Sequence, residues 1–472
     1  MVAAVAAGRT TATALVEAAL AQAEAHAGLN AFMLLDTEGA LDAARALDTG
    51  RGRRGPLAGV PIAVKDNIAM AGLPTTAGTA ALKGWVPRED APVLARLRAA
   101  GAIPLGKTGL HELAFGITSN NAGFGGIGNA CAPDRFAGGS SGGTAAAIAA
   151  GIVAAGLGTD TGGSVRIPAA LNGIAGLRPT AGRYPAAGIV PISRTRDTAG
   201  PMACRVDDLV LLDGVICGEP TNMEPAPLDG LRLGLPAPLM AGLDSETGRV
   251  TGAAFDTLRT AGVTFVPVAM PGLCELSASV GFALAMYEAR TGIAAFLAEH
   301  ETGLSIEALA AGIASSDVKH VFDTFILGAD AVPEERYRRA LDIDRPRLMA
   351  LYADTFADER LDGLAFPTTP LPAQPITGSD RRVMLNGREA PTCATFIRNT
   401  EPGSNVGIPG LTIPAGLTRE GLPVGLEIDM PAGADRRLLA IGLAVEAALG
   451  PWPQTAGSRK GAIATDRVGL AL

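Results

Sequence analysis

The segment TAAAIAAGIVAAG, residues 144–156, is apolar or small on every side. A helix without a polar stripe has no face to offer water, so this segment predicts a buried central helix with other layers packed around it. Short apolar runs alternate with helical periods on either side. GVPIAVKD (59–66) and AIPLGK (102–107) read as strands, the second preceded by a helix over 91–100 that Gly101 closes. Strand patterns return at 231–236, 361–367, 410–416 and 422–428, and a last helix is predicted over 435–449. One or two amphipathic helices are expected within 10–50, and 275–355 reads as mostly helical. Such alternation predicts an α/β protein with a mostly parallel or mixed sheet. The turn formers of GEPTNMEPAPLDG (218–230) join its two halves.

Composition narrows the function. A chain of 472 residues, 48% hydrophobic and 18% charged, is globular with a large core rather than disordered. The net charge of −8 argues against a protein that neutralises phosphates. Short basic clusters, such as Arg51, Arg53 and Arg54 or the arginines between 336 and 347, read as solvated faces, and no nucleic-acid partner is expected. Five scattered cysteines (131, 204, 217, 274, 393) include no CxxC pair, which fits a reduced, cytoplasmic chain. No cationic segment precedes an apolar one at the start, so no signal peptide is expected. The longest apolar stretch, 145–157, is too short to span a bilayer, and no membrane partner is expected. The histidines at 26, 111, 300 and 320 have neither HExxH nor paired-ligand spacing, so neither metal nor other cofactor is implied.

Three segments can carry chemistry. AGGSSGGTAAAIAAG (137–151) sets six consecutive small residues ahead of an apolar helix, where backbone can approach backbone and a negative charge is favoured. A phosphate loop would need Lys and then Ser or Thr after the last glycine, whereas Thr144 and Ala145 follow Gly143. GTDTGGSVRIPAALNG (158–173) places Ser164 in a tight glycine turn with Pro168 able to open a short helix. The backbone N–H groups of Thr161, Gly162, Gly163 and Ser164 could form a nest for an oxyanion, although a serine in such a turn is also a common structural feature. Lys65, in VPIAVKDNIA, either snorkels from a strand end or is buried with a role. Burial would lower its pKa from about 10.4 and make it a base near neutral pH.

Taken together, GGSSGG, DTGGSVRIP and an upstream lysine in GVPIAVKDNI resemble the amidase signature family. The two serines stand 24 residues apart, and Lys65 precedes Ser164 by 99. The resemblance covers nearly the whole chain and is strongest over 55–205, including GLRPTAGR and DTAGPMACRVDDL. It implies one amidase domain over 1–472, an α/β/α sandwich around a large mixed central sheet. It implies Ser164 as nucleophile, Ser140 as a bridging serine that follows a cis peptide from Gly139, and Lys65 as base. Thr161, Gly162, Gly163 and Ser164 match the oxyanion hole, Ser141 a supporting serine, and Asp160 and Arg166 scaffold positions. Lysine then does the work of the more familiar histidine, returning a proton to the leaving amine, and no aspartate is needed to orient it. Asp66 and Asp160 match no catalytic position.

KTGLHELAFGITSNNAGFGG (107–126), FIRNTEPGSNVGIPGLTIPAG (396–416) and LEIDMPAGADRRLLAIG resemble the mandelamide and indoleacetamide hydrolases of that family. The implied activity is hydrolysis of small hydrophobic or aryl-containing carboxamides through an acyl-enzyme, with water as the second substrate. Phe115, Gly116 and Ile117 are expected beside the acyl pocket. The variable helical region 275–355 is expected to form part of its wall, with Met286, Tyr287, Phe322 and Phe325 as either lining or core. Two departures, Gly109 where many relatives have Asn and Ala137 where many have Pro, could reshape the rim. Three other readings compete: a urethanase or aryl acylamidase using the same chemistry on carbamates, anilides or esters; a subunit of a tRNA-dependent amidotransferase; and a non-catalytic binding protein. The last would be marked by loss of a serine or the lysine, and all three are present. Homodimers are common in the family.

Overall fold

The computed structural model describes residues 1–451, and its organising element is a mixed sheet of eleven strands. In chain order these are β1 (Phe32–Leu35), β2 (Pro61–Lys65), β3 (Ile103–Thr108), β4 (Ala155–Asp160), β5 (Ala175–Arg178), β6 (Thr198–Ala203), β7 (Arg232–Pro236), β8 (Thr264–Val268) and β9 (Gly363–Pro367). A two-stranded hairpin, β10 (Arg382–Leu385) with β11 (Arg388–Pro391), stands apart, and β12 (Gly410–Leu417) and β13 (Pro423–Asp429) complete the sheet. The spatial order is β1-β3-β2-β4-β6-β5-β12-β13-β9-β7-β8. β2 runs parallel to both β3 and β4, and β7 parallel to β8 and β9, while the centre from β4 through β9 is antiparallel.

Strand alternation divides the core into two layers. From β2, Ile62 and Val64 join a core with the helices Pro92–Ala99, Val206–Cys217 and Asp435–Leu449. Ala63 points the other way, into a core with the helices Ala12–Ala25, Thr37–Asp48 and Gly142–Ala149. Helices therefore cover both faces, the α/β/α arrangement anticipated from the sequence.

The central helix is shorter than the apolar segment that predicts it. Gly142–Ala149 is helical, Gly151 turns the chain at φ +72°, and residues 155–160 form β4. An all-apolar run of small residues carries no period that separates a buried helix from a buried strand, so the break is not visible in the pattern. The region 275–355 is helical as expected, led by the long helix Leu273–Glu299 and closed by Arg345–Asp358.

Candidate active site

Lys65 ends β2 with its side chain fully buried. It does not snorkel. Its Nζ donates to Ser140 Oγ at 2.7 Å and to Thr159 Oγ1 at 2.7 Å, and Asn67 Nδ2 donates to the same threonine oxygen at 3.0 Å. Its hydrogen-bonding partners are hydroxyls, and among the described residues no carboxylate forms an ion pair with it. Burial pushes the Lys65 ammonium down to about 7, against the opposing pull of Asp160 and Asp197.

Ser140 reaches that lysine from the turn ahead of the helix Gly142–Ala149. A Cβ on Gly139 would sit 2.4 Å from Pro168 Cδ and 3.3 Å from Ser164 Cα. Only glycine lets this turn press against the Ser164 segment. The peptide between Gly139 and Ser140 is trans, as are all peptides among the described residues, so the cis bond implied by the resemblance is not found. Gly138 and Gly139, at φ +84° and +55°, make the reversal instead. With that backbone the Ser140 amide donates to Ser164 Oγ at 3.2 Å while its hydroxyl meets Lys65. Ser141 braces the turn, its hydroxyl donating to the Thr159 carbonyl at 3.2 Å and accepting from the Thr159 amide at 3.3 Å. Accessibility grades inward along the three groups, from Ser164 (8% exposed) through Ser140 (1%) to Lys65 (0%).

Ser164 follows β4 in the turn before the helix Arg166–Asn172. Among the described residues, the amides of Thr161, Gly162, Gly163 and Ser164 donate to no protein acceptor. Four successive free N–H groups beside a serine hydroxyl are a ready site for a developing negative charge. The turn is held from both sides. Thr161 Oγ1 donates to Asp197 Oδ1 at 2.5 Å, and the other Asp197 oxygen accepts from the amides of Ile192 and Ser193 at 2.8 Å. Thr400 Oγ1 donates to the Gly162 carbonyl at 2.7 Å.

Beneath the turn lies a buried ionic network. Arg166 binds Asp160 through Nε and Nη2, both at 3.1 Å, and Glu427 through Nη1 at 2.7 Å. Arg178 binds Asp160 at 2.9 Å and the Asp160 carbonyl at 2.6 Å. The two guanidiniums hold the Asp160 carboxyl well below the usual carboxylate range despite its burial. Burial and the neighbouring Glu427 push the Asp429 carboxyl upward from its usual range. Asp160 and Arg166, expected as scaffold positions, pair with each other in this buried network.

Of the residues expected beside the acyl pocket, Phe115 packs edge-on against Phe322 with ring centroids 5.2 Å apart, and it shares an apolar cluster with Ile192 and Met286. Gly116 lies against the His111 ring, whose Nε2 is 2.9 Å from Asp317 Oδ2. Ile117 is buried in a separate cluster with Phe136, Ile167, Leu171 and Phe396. Tyr287 stacks on Tyr337 at 4.2 Å, and Phe325 packs edge-on against Phe282 at 5.2 Å. Region 275–355 thus reaches the first of these residues through Met286 and Phe322 and leaves Ile117 in the core.

Sequence reasoning missed Thr159, Asp197, Thr400 and Arg178. Arg178 and Asp197 lie inside GLRPTAGR and DTAGPMACRVDDL, so motif membership was their only signal. Thr159 faces Lys65 because β4 lies beside β2, with Val64 opposite Leu157. That pairing exists only in the folded sheet.

The sequence pattern of the Amidase family matches residues 14–439. The chain is 43% identical over 437 residues to an indoleacetamide hydrolase of Rhizobium radiobacter, covering 92% of this chain and 93% of that one. It is 42% identical over 464 residues to a mandelamide hydrolase of Pseudomonas putida, covering 94% and 90%. A solved amidase crystal structure superposes with a TM-score of 0.84 at 36% identity, covering 95% of this chain and 99% of the other. Agreement of this extent in both sequence and fold makes the chain a member of the amidase signature family, an enzyme that hydrolyses the carbon–nitrogen bond of amides.

Proposed function

We propose that the enzyme hydrolyses small primary carboxamides with an aryl-bearing acid part, using Ser164 as nucleophile, Ser140 as relay and Lys65 as base. The support is the Lys65 Nζ to Ser140 Oγ hydrogen bond at 2.7 Å, with Ser164 Oγ 3.2 Å from the Ser140 amide and next to four unbonded backbone N–H groups. A lysine held near 7 is partly neutral at neutral pH and can accept a proton. Ser164 attacks the amide carbonyl as its proton passes through the Ser140 hydroxyl to Lys65. The tetrahedral oxyanion lies against the amides of Thr161, Gly162, Gly163 and Ser164, each donor worth about 3 kcal/mol of barrier. Lys65 returns the proton through Ser140 to nitrogen, so ammonia leaves rather than a strongly basic amide anion. Water then repeats the sequence on the acyl-enzyme.

The aromatic preference rests on the relatives that hydrolyse indoleacetamide and mandelamide, and on the apolar cluster of Phe115, Ile192 and Met286. Ammonia release from phenylacetamide, mandelamide and indole-3-acetamide is expected, with weaker turnover of matched anilides and aryl carbamates. Ser164→Ala should lower kcat by about 10⁴-fold or more. Equal activity in wild type and Ser164→Ala would refute the assignment of the nucleophile. A preference for carbamates would move the substrate class while keeping the mechanism.

A further inference from the structure

Glu401 is a carboxyl that this chemistry leaves unused. It opens the helix Glu401–Val406 directly after Thr400, the residue that holds the Gly162 carbonyl. On one side, Glu401 Cγ lies 4.0 Å from where a Cβ on Gly162 would stand, and Ile397 Cδ1 lies 2.7 Å from the same point. On the other, Glu401 Oε1 lies 2.2 Å from the corresponding point on Gly281 of the long helix Leu273–Glu299. The carboxyl is thus wedged between the turn that carries Ser164 and the helical region beside it, with its side chain 17% exposed.

Its charged partner is Arg196, whose Nη1 is 3.6 Å from Oε1, longer than a hydrogen bond. Arg196 directs its own hydrogen bonds elsewhere, Nε to Ser193 Oγ at 3.1 Å and Nη1 to Asn405 Oδ1 at 2.8 Å. A carboxylate can accept about four hydrogen bonds, so Glu401 keeps acceptor capacity that Arg196 does not fill. Burial pushes the Glu401 carboxyl up to about 7 in spite of Arg196. A single strong acceptor beside apolar side chains is the arrangement by which a pocket orients a ligand.

We infer that Glu401 is a specificity-determining residue that accepts a hydrogen bond from an N–H or O–H on the acid part of the amide substrate. This rests on the reading that Ser164 is the nucleophile, because it assumes that the acid part lies over the Gly162 turn. Two matched pairs test it: indole-3-acetamide against benzofuran-3-acetamide, and mandelamide against phenylacetamide. Each pair differs by a hydrogen-bond donor at nearly constant shape.

For at least one pair, wild-type kcat/KM should favour the donor-bearing amide tenfold or more. Glu401→Leu should lower that ratio at least tenfold, whereas Glu401→Gln, which keeps a carbonyl acceptor, should retain most of it. The inference is overturned if both wild-type ratios lie within twofold of one, or if Glu401→Leu leaves them unchanged. Should Glu401→Leu not fold, the wild-type ratios and Glu401→Gln still decide, since loss of discrimination in Gln would also contradict an acceptor role. A different result, wild type no more active than Ser164→Ala on all four amides, would sink the nucleophile assignment itself.

Discussion

Lys65 shows how one residue acquires a chemistry that its type does not ordinarily have. An ammonium taken from water loses hydration that two hydroxyls only partly replace, so its charged form becomes costly. With the proton released near 7, kcat/KM should fall as pH drops below about 7, because protonated Lys65 cannot accept the serine proton. A pH–rate profile lacking that acid limb would contradict Lys65 as the base. Thr159 tunes the same equilibrium: its hydroxyl oxygen accepts from Nζ and thereby favours the charged lysine. Thr159→Val should therefore move the acid limb to lower pH, besides lowering kcat. The sequence showed a lysine in an apolar strand and left open whether it was snorkelling or buried. That choice depends on what lies at the strand end, and here it is the Ser140 turn and β4.

At the scale of elements, β4 and the helix Arg166–Asn172 bracket the Ser164 turn, and the Arg166 network ties both to β13. Replacing one member of a buried ion set leaves the others charged and unpaired. Arg166→Met leaves Glu427 without its guanidinium and Asp160 with Arg178 alone, and should cost about 3–5 kcal/mol of stability. Urea denaturation would read this as a lower midpoint, and a change under about 1 kcal/mol would mean the network contributes little. Elements with a distinct period were legible: the expected strand at 59–66 is Pro61–Lys65, that at 422–428 is Pro423–Asp429, and the last helix is Asp435–Leu449. β4, β5 and β6 were not, because AGLGTD, AGLR and TAGPMA are short and rich in small residues. Such segments have little strand propensity of their own, and flanking strands and helices supply their stability.

Across the whole molecule, Lys65 also links the site to global stability. Its proton leaves near 7 in the folded chain and near 10.5 in the unfolded one. Between those values the unfolded state binds more protons, so this group makes stability rise with pH, by up to about 5 kcal/mol in all. Lys65→Met should remove that rise between about pH 7 and pH 10, read as the difference in denaturation midpoint between variant and wild type. A parallel pH dependence in the two proteins would show that Lys65 is not held neutral in the fold. What the sequence determined by itself was the α/β class and the family, and it singled out Lys65, Ser140 and Ser164 as candidates, because these are written in local periods and in short motifs of restricted geometry. Only the tertiary structure decided that Lys65 is buried, that the Gly139–Ser140 peptide is trans, that Thr159 and Asp197 attend the site, and that Glu401 stands beside it. Each of these depends on strands and turns far apart in the chain meeting across one sheet, which no local pattern encodes.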